Sequence, residues 1–366
     1  MKISRIARIG AIGAVAALAL AGCAANEGAA PESTGDTGAS TLEGTLKATG
    51  ASSQGAAQEA WVAAFQTANT GVTINYEPTG SGTGRENFIA GASNFIGSDR
   101  AFKTDEFADG FASCASDAIV EVPLYISPVA VAFNLEGIET LNLDATTIAG
   151  IFAGDITNWN DAAIAEQNEG VELPDLAIAP VHRSDDSGTT ETFTAYLNAT
   201  APDVWTNEAD GVWPLEGGEA AQGTSGVVQA IKSGSGTIGY ADASQTTGLG
   251  QVHVGVGDEY VPYSAEAAAA LVEASPLEEG RTAGDLVFAV DPAAAPAGAY
   301  PIALVSYLIA CEEYEDTNTA ALVKSYFEYI ASEEGQQAAA DNAGSAPISE
   351  SLREKVLGAI DLIKVD

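Results

Sequence analysis

Four times along the chain a short run of strand-type residues ends in small polar residues or a carboxylate, and this repeat limits the folds open to it. Leu46-Lys47-Ala48 runs into Thr49-Gly50-Ala51-Ser52-Ser53-Gln54, and Trp61 and Phe65 then stand at helical spacing. Val72, Ile74 and Tyr76 alternate as a half-buried strand does, and Gly80-Ser81-Gly82-Thr83-Gly84 leads into a helix expected over Arg85–Gly91. Phe95-Ile96-Gly97-Ser98 is a third short strand with Asp99 at its tip. Leu176 to Val181 reads as a fourth, followed by Arg183-Ser184-Asp185-Asp186-Ser187-Gly188-Thr189-Thr190 and a helix with Phe193, Tyr196 and Leu197 on one face. Any one such turn is ordinary punctuation of α/β proteins. Together they suit a crevice outside the carboxyl ends of strands.

The Arg183–Thr190 stretch carries the clearest chemistry. Asp185 or Ser187 can cap the helix that follows, and Gly188 lets backbone approach a ligand closely. The first N–H groups of a helix lack intrahelical partners, so an anion placed there gains hydrogen bonds and the favourable end of the dipole. Arg183 adds a planar cation with forked donors, and Ser187 and Thr189 add hydroxyls. The stretch reads as half of an oxyanion pocket.

Several other chemistries do not fit. Gly80–Gly84 is followed by no Gly-Lys-Ser/Thr and lacks the dinucleotide spacing of glycines. Ser81 sits one position early for a Gly-x-Ser-x-Gly elbow. His182 and His253 are too few for a two-metal site, and His182 should point away from its strand neighbour Arg183. No metal, cofactor or catalytic group is expected. The formal charge of −37 argues against nucleic acid as a partner. Exposed charges are screened within about 8–10 Å in salt, so it does not exclude an anion held by groups in direct contact with it.

The N-terminus reads as an export signal. Lys2, Arg5 and Arg8 precede an apolar run from Ile9 to Leu20 that is too short to span a membrane as a mature helix. Leu20-Ala21-Gly22-Cys23 resembles a lipobox, so residues 1–22 are expected to be a signal peptide and Cys23 the lipidated first residue. Residues 23–43, rich in small residues, read as a flexible tether. In an exported chain the two remaining cysteines, Cys114 and Cys311, are expected to form a disulfide.

Ile119–Tyr125 and Val129–Phe133 are two β-rich runs separated by a break at Pro128, the expected first crossover between lobes. Ala221–Ile231 reads as a helix, Gly236–Tyr240 as a strand, and Pro292–Pro296 as a turn-rich return to the apolar run Ile302–Cys311. Leu322, Val323, Tyr326, Phe327 and Ile330 share one helical face and Leu352, Val356 and Ile360 another, both core stripes.

The run R-S-D-D-S-G-T-T-x-x-F-T-x-Y-L over 183–197 resembles the signature of the phosphate-binding proteins of bacterial phosphate ABC importers. Asp186 departs from that pattern, which usually has Gly there. The run Thr146–Asn160, with Trp159 expected in the core, and Gly236–Tyr240 also match, and the resemblance covers about 45–362. It implies a type II-like periplasmic-binding-protein fold, α/β with two lobes and a ligand cleft between them. The lobes are expected at 44–125 with 297–366, and at 126–296. By position it implies that Ser52, Ser53, Ser81, Asp99, Arg183, Ser187, Gly188 and Thr189 contact phosphate. Ser53 and Gln54 stand where the family often has an aromatic and a proline. The resemblance further implies a monomeric, extracytoplasmic, membrane-anchored protein that hands phosphate to an ABC permease. Another tetrahedral oxyanion such as sulfate, or an extracytoplasmic phosphohydrolase, are the alternatives.

Overall fold

The computed structural model describes residues 42–365, so the expected leader 1–22, Cys23 and all but the end of the tether 23–43 lie outside the described residues. In order, the first elements are β1 (Glu43–Gly50), α1 (Gly55–Ala68), β2 (Gly71–Glu77), α2 (Ser81–Ile89) and β3 (Phe95–Ser98). Next come β4 (Ile119–Asn134), β5 (Thr140–Leu143), α3 (Ala145–Ala153), α4 (Ala162–Ala165), β6 (Ala179–Arg183) and α5 (Gly188–Thr200). They are followed by β7 (Glu219–Ala221), α6 (Gly223–Ser233), β8 (Thr237–Asp242), β9 (Gly250–Val256), β10 (Glu259–Val261) and α7 (Ala265–Ala274). The chain closes with β11 (Ala303–Cys311), α8 (Thr317–Ala331), α9 (Glu333–Ala343) and α10 (Glu350–Ile360). Among the described residues no helix is long and apolar enough to cross a membrane.

The architecture is a two-lobe α/β fold, and β4 joins its two sheets. The strand order is β2-β1-β3-β11-β4-β8-β6-β7, with β9, β10 and β5 branching from β4. β1 pairs in parallel with β2 and β3, and β6 in parallel with β7 and β8. In both sheets the loops after the strands therefore gather at carboxyl ends, where open α/β sheets place ligands.

Pro128 does not break the chain as expected. β4 runs unbroken, its first ten residues antiparallel to β11 and Val129–Asn134 antiparallel to β8. Pro128 is the last residue paired with β11, so its missing N–H falls where one partner hands over to the other. Every residue of β11 and nearly every residue of β4 is buried, as in a sheet covered on both faces.

Other boundaries shift for local reasons. The strand expected over 176–181 forms at Ala179–Arg183, because Trp159 N–H donates to Leu176 O and Ile178 N–H to Thr157 O, tying 176–178 to another segment. The helix expected from Ala221 begins at Gly223, since Ala221 pairs with Arg183 in β7. The helix expected from Arg85 begins earlier, at Ser81. Trp159 is buried and its Nε1 donates to Gly236 O at 3.0 Å. The two C-terminal stripes are buried in α8 and α10 as their spacing requires. Cys114 and Cys311, 197 residues apart, are disulfide-bonded with a Cα–Cα distance of 5.3 Å. The bond ties the loop before β4 to the end of β11.

Candidate functional site

The loops after β1, β2, β3 and β6 meet at the carboxyl ends of their strands, and the openings of α1, α2, α5 and α6 meet with them. β6 ends on Arg183, which is buried. Its Nε donates to Asp185 Oδ1 at 2.8 Å and its Nη2 to Oδ2, a fork closed within three residues. Asp185 Oδ1 also accepts from Gly223 N at 3.1 Å, fixing the opening of α6 against the same pair. Burial pushes the Asp185 carboxyl up, but the bonds and charge of Arg183 outweigh burial and hold it below the ordinary carboxylate range. Of the two capping candidates, Ser187 caps α5, its Oγ accepting from Thr190 N at 3.2 Å, while Asp185 is committed to Arg183.

Asp99, at the tip of β3, is also buried. Its Oδ1 accepts from Ser53 Oγ at 2.5 Å and Ser306 Oγ at 2.6 Å, and its Oδ2 from Thr189 Oγ1 at 2.9 Å. Its backbone N–H donates to Ser81 Oγ at 3.1 Å. Three hydroxyls thus orient the carboxylate, and among the described residues no arginine pairs with it. Gly188 stands against this group, and a Cβ there would run into the Asp99 backbone at 3.0 Å. Only a residue without a side chain lets α5 open this close to β3.

Ser52 completes the circuit. Its Oγ accepts from Thr224 N and bonds Thr224 Oγ1, both at 3.0 Å, joining the opening of α1 to that of α6. The structure brings Ser53, Ser81 and Thr189 onto Asp99, and ties Ser52 directly and Arg183 through Asp185 to the opening of α6. Ser187 stays with its own helix. Backbone donors at helix openings and the Arg183 guanidinium that Asp185 orients favour an anion with several acceptor oxygens, whatever the charge of the rest of the chain.

His182 lies apart. Its ring nitrogens face the carbonyl oxygens of Arg183 and Gly217 at 2.9 and 3.0 Å, and the ring stacks on Trp213 at 5.0 Å. Its ring is thus held by backbone and an indole, and Ser187 by its own helix.

Sequence reasoning missed Ser306, Thr224 and Gln54. Gln54 Nε2 donates to Ser306 Oγ at 2.7 Å and so supports the hydroxyl that bonds Asp99. A hydroxyl inside the apolar run Ile302–Cys311 was the available signal for Ser306, because a polar side chain in a buried strand needs a partner. Thr224 follows a glycine at a helix opening, as Ser81 does.

A family profile described as a PBP superfamily domain matches residues 34–334. The chain is 33% identical to Phosphate-binding protein PstS 3 of Mycobacterium leprae (strain TN), covering 94% of this chain and 95% of the relative. It is 30% identical to Phosphate-binding protein PstS 2 of Mycobacterium tuberculosis (strain ATCC 25618 / H37Rv), covering 99% and 100%. Among solved structures, a high-affinity periplasmic phosphate-binding protein bound with phosphate superposes with a TM-score of 0.67. That likeness, at 22% identity over 86% of this chain and 93% of the other, concerns the fold alone.

Proposed function

The chain belongs to the PBP superfamily and, within it, to the PstS phosphate-binding proteins, and from that premise we propose that it binds inorganic phosphate in the cleft between its lobes. The reading rests above all on one observation: four helix openings converge on the Arg183–Asp185 fork and on the hydroxyl-ringed Asp99. In this reading Ser52, Ser53, Ser81, Asp99, Arg183, Ser187, Gly188 and Thr189 surround the ion. Helix-opening N–H groups and Arg183 take its charged oxygens. Asp99 accepts a hydrogen bond from the P–OH that phosphate carries near neutral pH and that sulfate lacks, and a site built on such a bond rejects the analogue without it by about 10⁴–10⁵-fold. Calorimetry of the protein stripped of ligand, against phosphate, sulfate and arsenate, tests this. Heat from sulfate equal to that from phosphate would refute it.

The protein acts outside the cytoplasm as a monomer and presents phosphate to a membrane ABC permease without acting on it chemically. The lobes are formed by 44–125 with 297–366 and by 126–296, and they close by a hinge motion. Cys23 carries the lipid anchor and starts the tether, which ends where β1 begins at Glu43. A diacylglyceryl group on the N-terminal peptide from native membranes, and no phosphate release from phosphoesters with metal added, are the expected outcomes.

A further inference from the structure

One run of charges crosses between the two sheets beside the site, and the binding chemistry does not use it. Arg85, on α2, is buried. Its Nη1 donates to Ser98 Oγ at 3.0 Å, and its Nη2 reaches both oxygens of Asp186, at 3.2 and 3.1 Å. Arg85, on α2, belongs to the β1–β3 sheet side, and Asp186 lies between β6 and α5 of the other. On the same side of α5, Glu191 receives Arg100 Nε at 3.1 Å and Lys103 Nζ at 3.7 Å. Glu106 is the one acidic group in this run on the cation side, 2.6 Å from Arg100 and 4.0 Å from Arg85. Three of the chain's 14 basic residues therefore stand on one wall of a strongly acidic protein, opposed by two carboxylates on the other wall.

The seam is shaped as well as charged. Gly82 N–H donates to Asp186 O at 3.1 Å, and a Cβ on Gly82 would lie 2.5 Å from the Asp186 Cβ. The walls meet this closely only because position 82 has no side chain. Burial and the nearby charge of Arg100 pull the Arg85 guanidinium below its ordinary value, while Asp186 and Glu106 counter them. Asp186 is also the one position in its loop that departs from the phosphate-binding pattern, where glycine usually stands.

We propose that this seam is an electrostatic latch: Arg85, Arg100 and Lys103 meet Asp186 and Glu191 only when the lobes are together, so the latch holds the closed form and slows release of the bound ion. Opening would take the Asp186 partner from Arg85 and the Glu191 partner from Arg100 and Lys103, leaving three cations beside the single carboxylate of Glu106. The Asp186 side chain is 44% exposed, so solvent and salt moderate its share.

The release rate as a readout rests on the phosphate-binding reading, whereas the latch can also be followed without ligand. Stopped-flow release of phosphate is compared for wild type, Asp186→Gly, Glu191→Gln and the double variant, each checked for an unchanged thermal melt. Each single substitution should speed release by about three- to tenfold, a modest figure because one end of each pair is partly solvated. About 1 M salt, where the screening length is about 3 Å, should speed release from wild type and leave the double variant nearly unchanged. Equal release rates, or equal salt dependence, in wild type and double variant would overturn the latch. Should calorimetry show that wild type binds no phosphate, that reading fails on its own, and the latch is judged by small-angle scattering of the ligand-free protein. The wild-type radius should then grow with salt, while the double variant should be expanded and insensitive. Identical radii across variants and salt would overturn it, and the salt series on wild type remains decisive if a variant does not fold.

Discussion

Arg183 and Asp99 are the two poles of the candidate site, and they are built in opposite ways. Arg183 is held by Asp185, two positions away, so the fork closes at the end of one strand, with Gly223 N added from α6. Asp99 is held by hydroxyls 46, 90 and 207 positions away, from four different segments including its own. The first pole forms wherever the loop forms. The second exists only after β3, β11, α1 and α5 have assembled. A cation pole of local origin is robust and unselective, because any oxyanion can engage a guanidinium and helix-opening N–H groups. A carboxylate pole assembled from distant hydroxyls can instead discriminate between ligands that carry a proton and those that do not.

The largest expected effect breaks the local pole. Arg183→Ala should weaken phosphate binding by about 2–5 kcal/mol, the range for truncating one partner of a buried charge pair. Calorimetry reads this, and near-wild-type affinity would move the site elsewhere.

Next comes a control on the distributed pole, because a second buried carboxylate, Asp242, sits in a similar ring built from residues outside the candidate set. It accepts from Tyr125 OH, from Ser127 Oγ at 2.5 Å, and from the N–H of Ser244 at 3.0 Å. Burial pushes its carboxyl up to about 6, and these bonds only partly oppose the rise. Its folded value lies above its unfolded one, so its stabilising contribution is complete below about pH 4 and is lost as pH rises through about 6. The loss is about 3 kcal/mol, and Asp242→Asn should remove that part of the pH dependence in chemical denaturation between pH 4 and 7. The variant should keep phosphate-over-sulfate selectivity. A variant that lost selectivity would show that a hydroxyl-ringed carboxylate need not be at the cleft to matter.

Asp99→Asn sharpens the comparison at the site itself. The amide can donate as well as accept, so it should narrow the phosphate-to-sulfate gap by about ten- to a hundredfold, part of what a site built on a ligand hydrogen bond provides. Intact selectivity in calorimetry would remove Asp99 as the discriminator. Smallest is Ser306→Ala, which deletes one of the three hydroxyls on Asp99 and should cost about 1 kcal/mol of phosphate affinity, the worth of one ordinary hydrogen bond. No change would mean that Ser53 and Thr189 orient the carboxylate without it.

The structure also shows where reading along the chain reaches its limit. The helices that carry Trp61 and Phe65, and Phe193, Tyr196 and Leu197, were legible from spacing, and so were the core stripes of α8 and α10, whereas the helix expected from Arg85 begins at Ser81. Pro128 was legible as an interruption, but its consequence was not. A proline announces a missing N–H, and only the neighbouring strands decide whether that N–H was needed. Asp186 was visible as a departure from a pattern, while its partner Arg85, 101 positions away, was not. Ser306 was visible only as a hydroxyl in an apolar strand.

Adjacency controls the strand-to-helix turns and the periodic faces that bury, and these could be read along the chain, whereas the choice of Ser187 over Asp185 as the cap of α5 could not. Such contacts close over a few residues, where backbone geometry leaves few alternatives. Tertiary structure alone decided which hydroxyls meet Asp99, which carboxylate meets Arg85, and where β4 changes partner. Those contacts span about a hundred residues or more in most cases, and their identity depends on strand order and register, which no local interaction specifies.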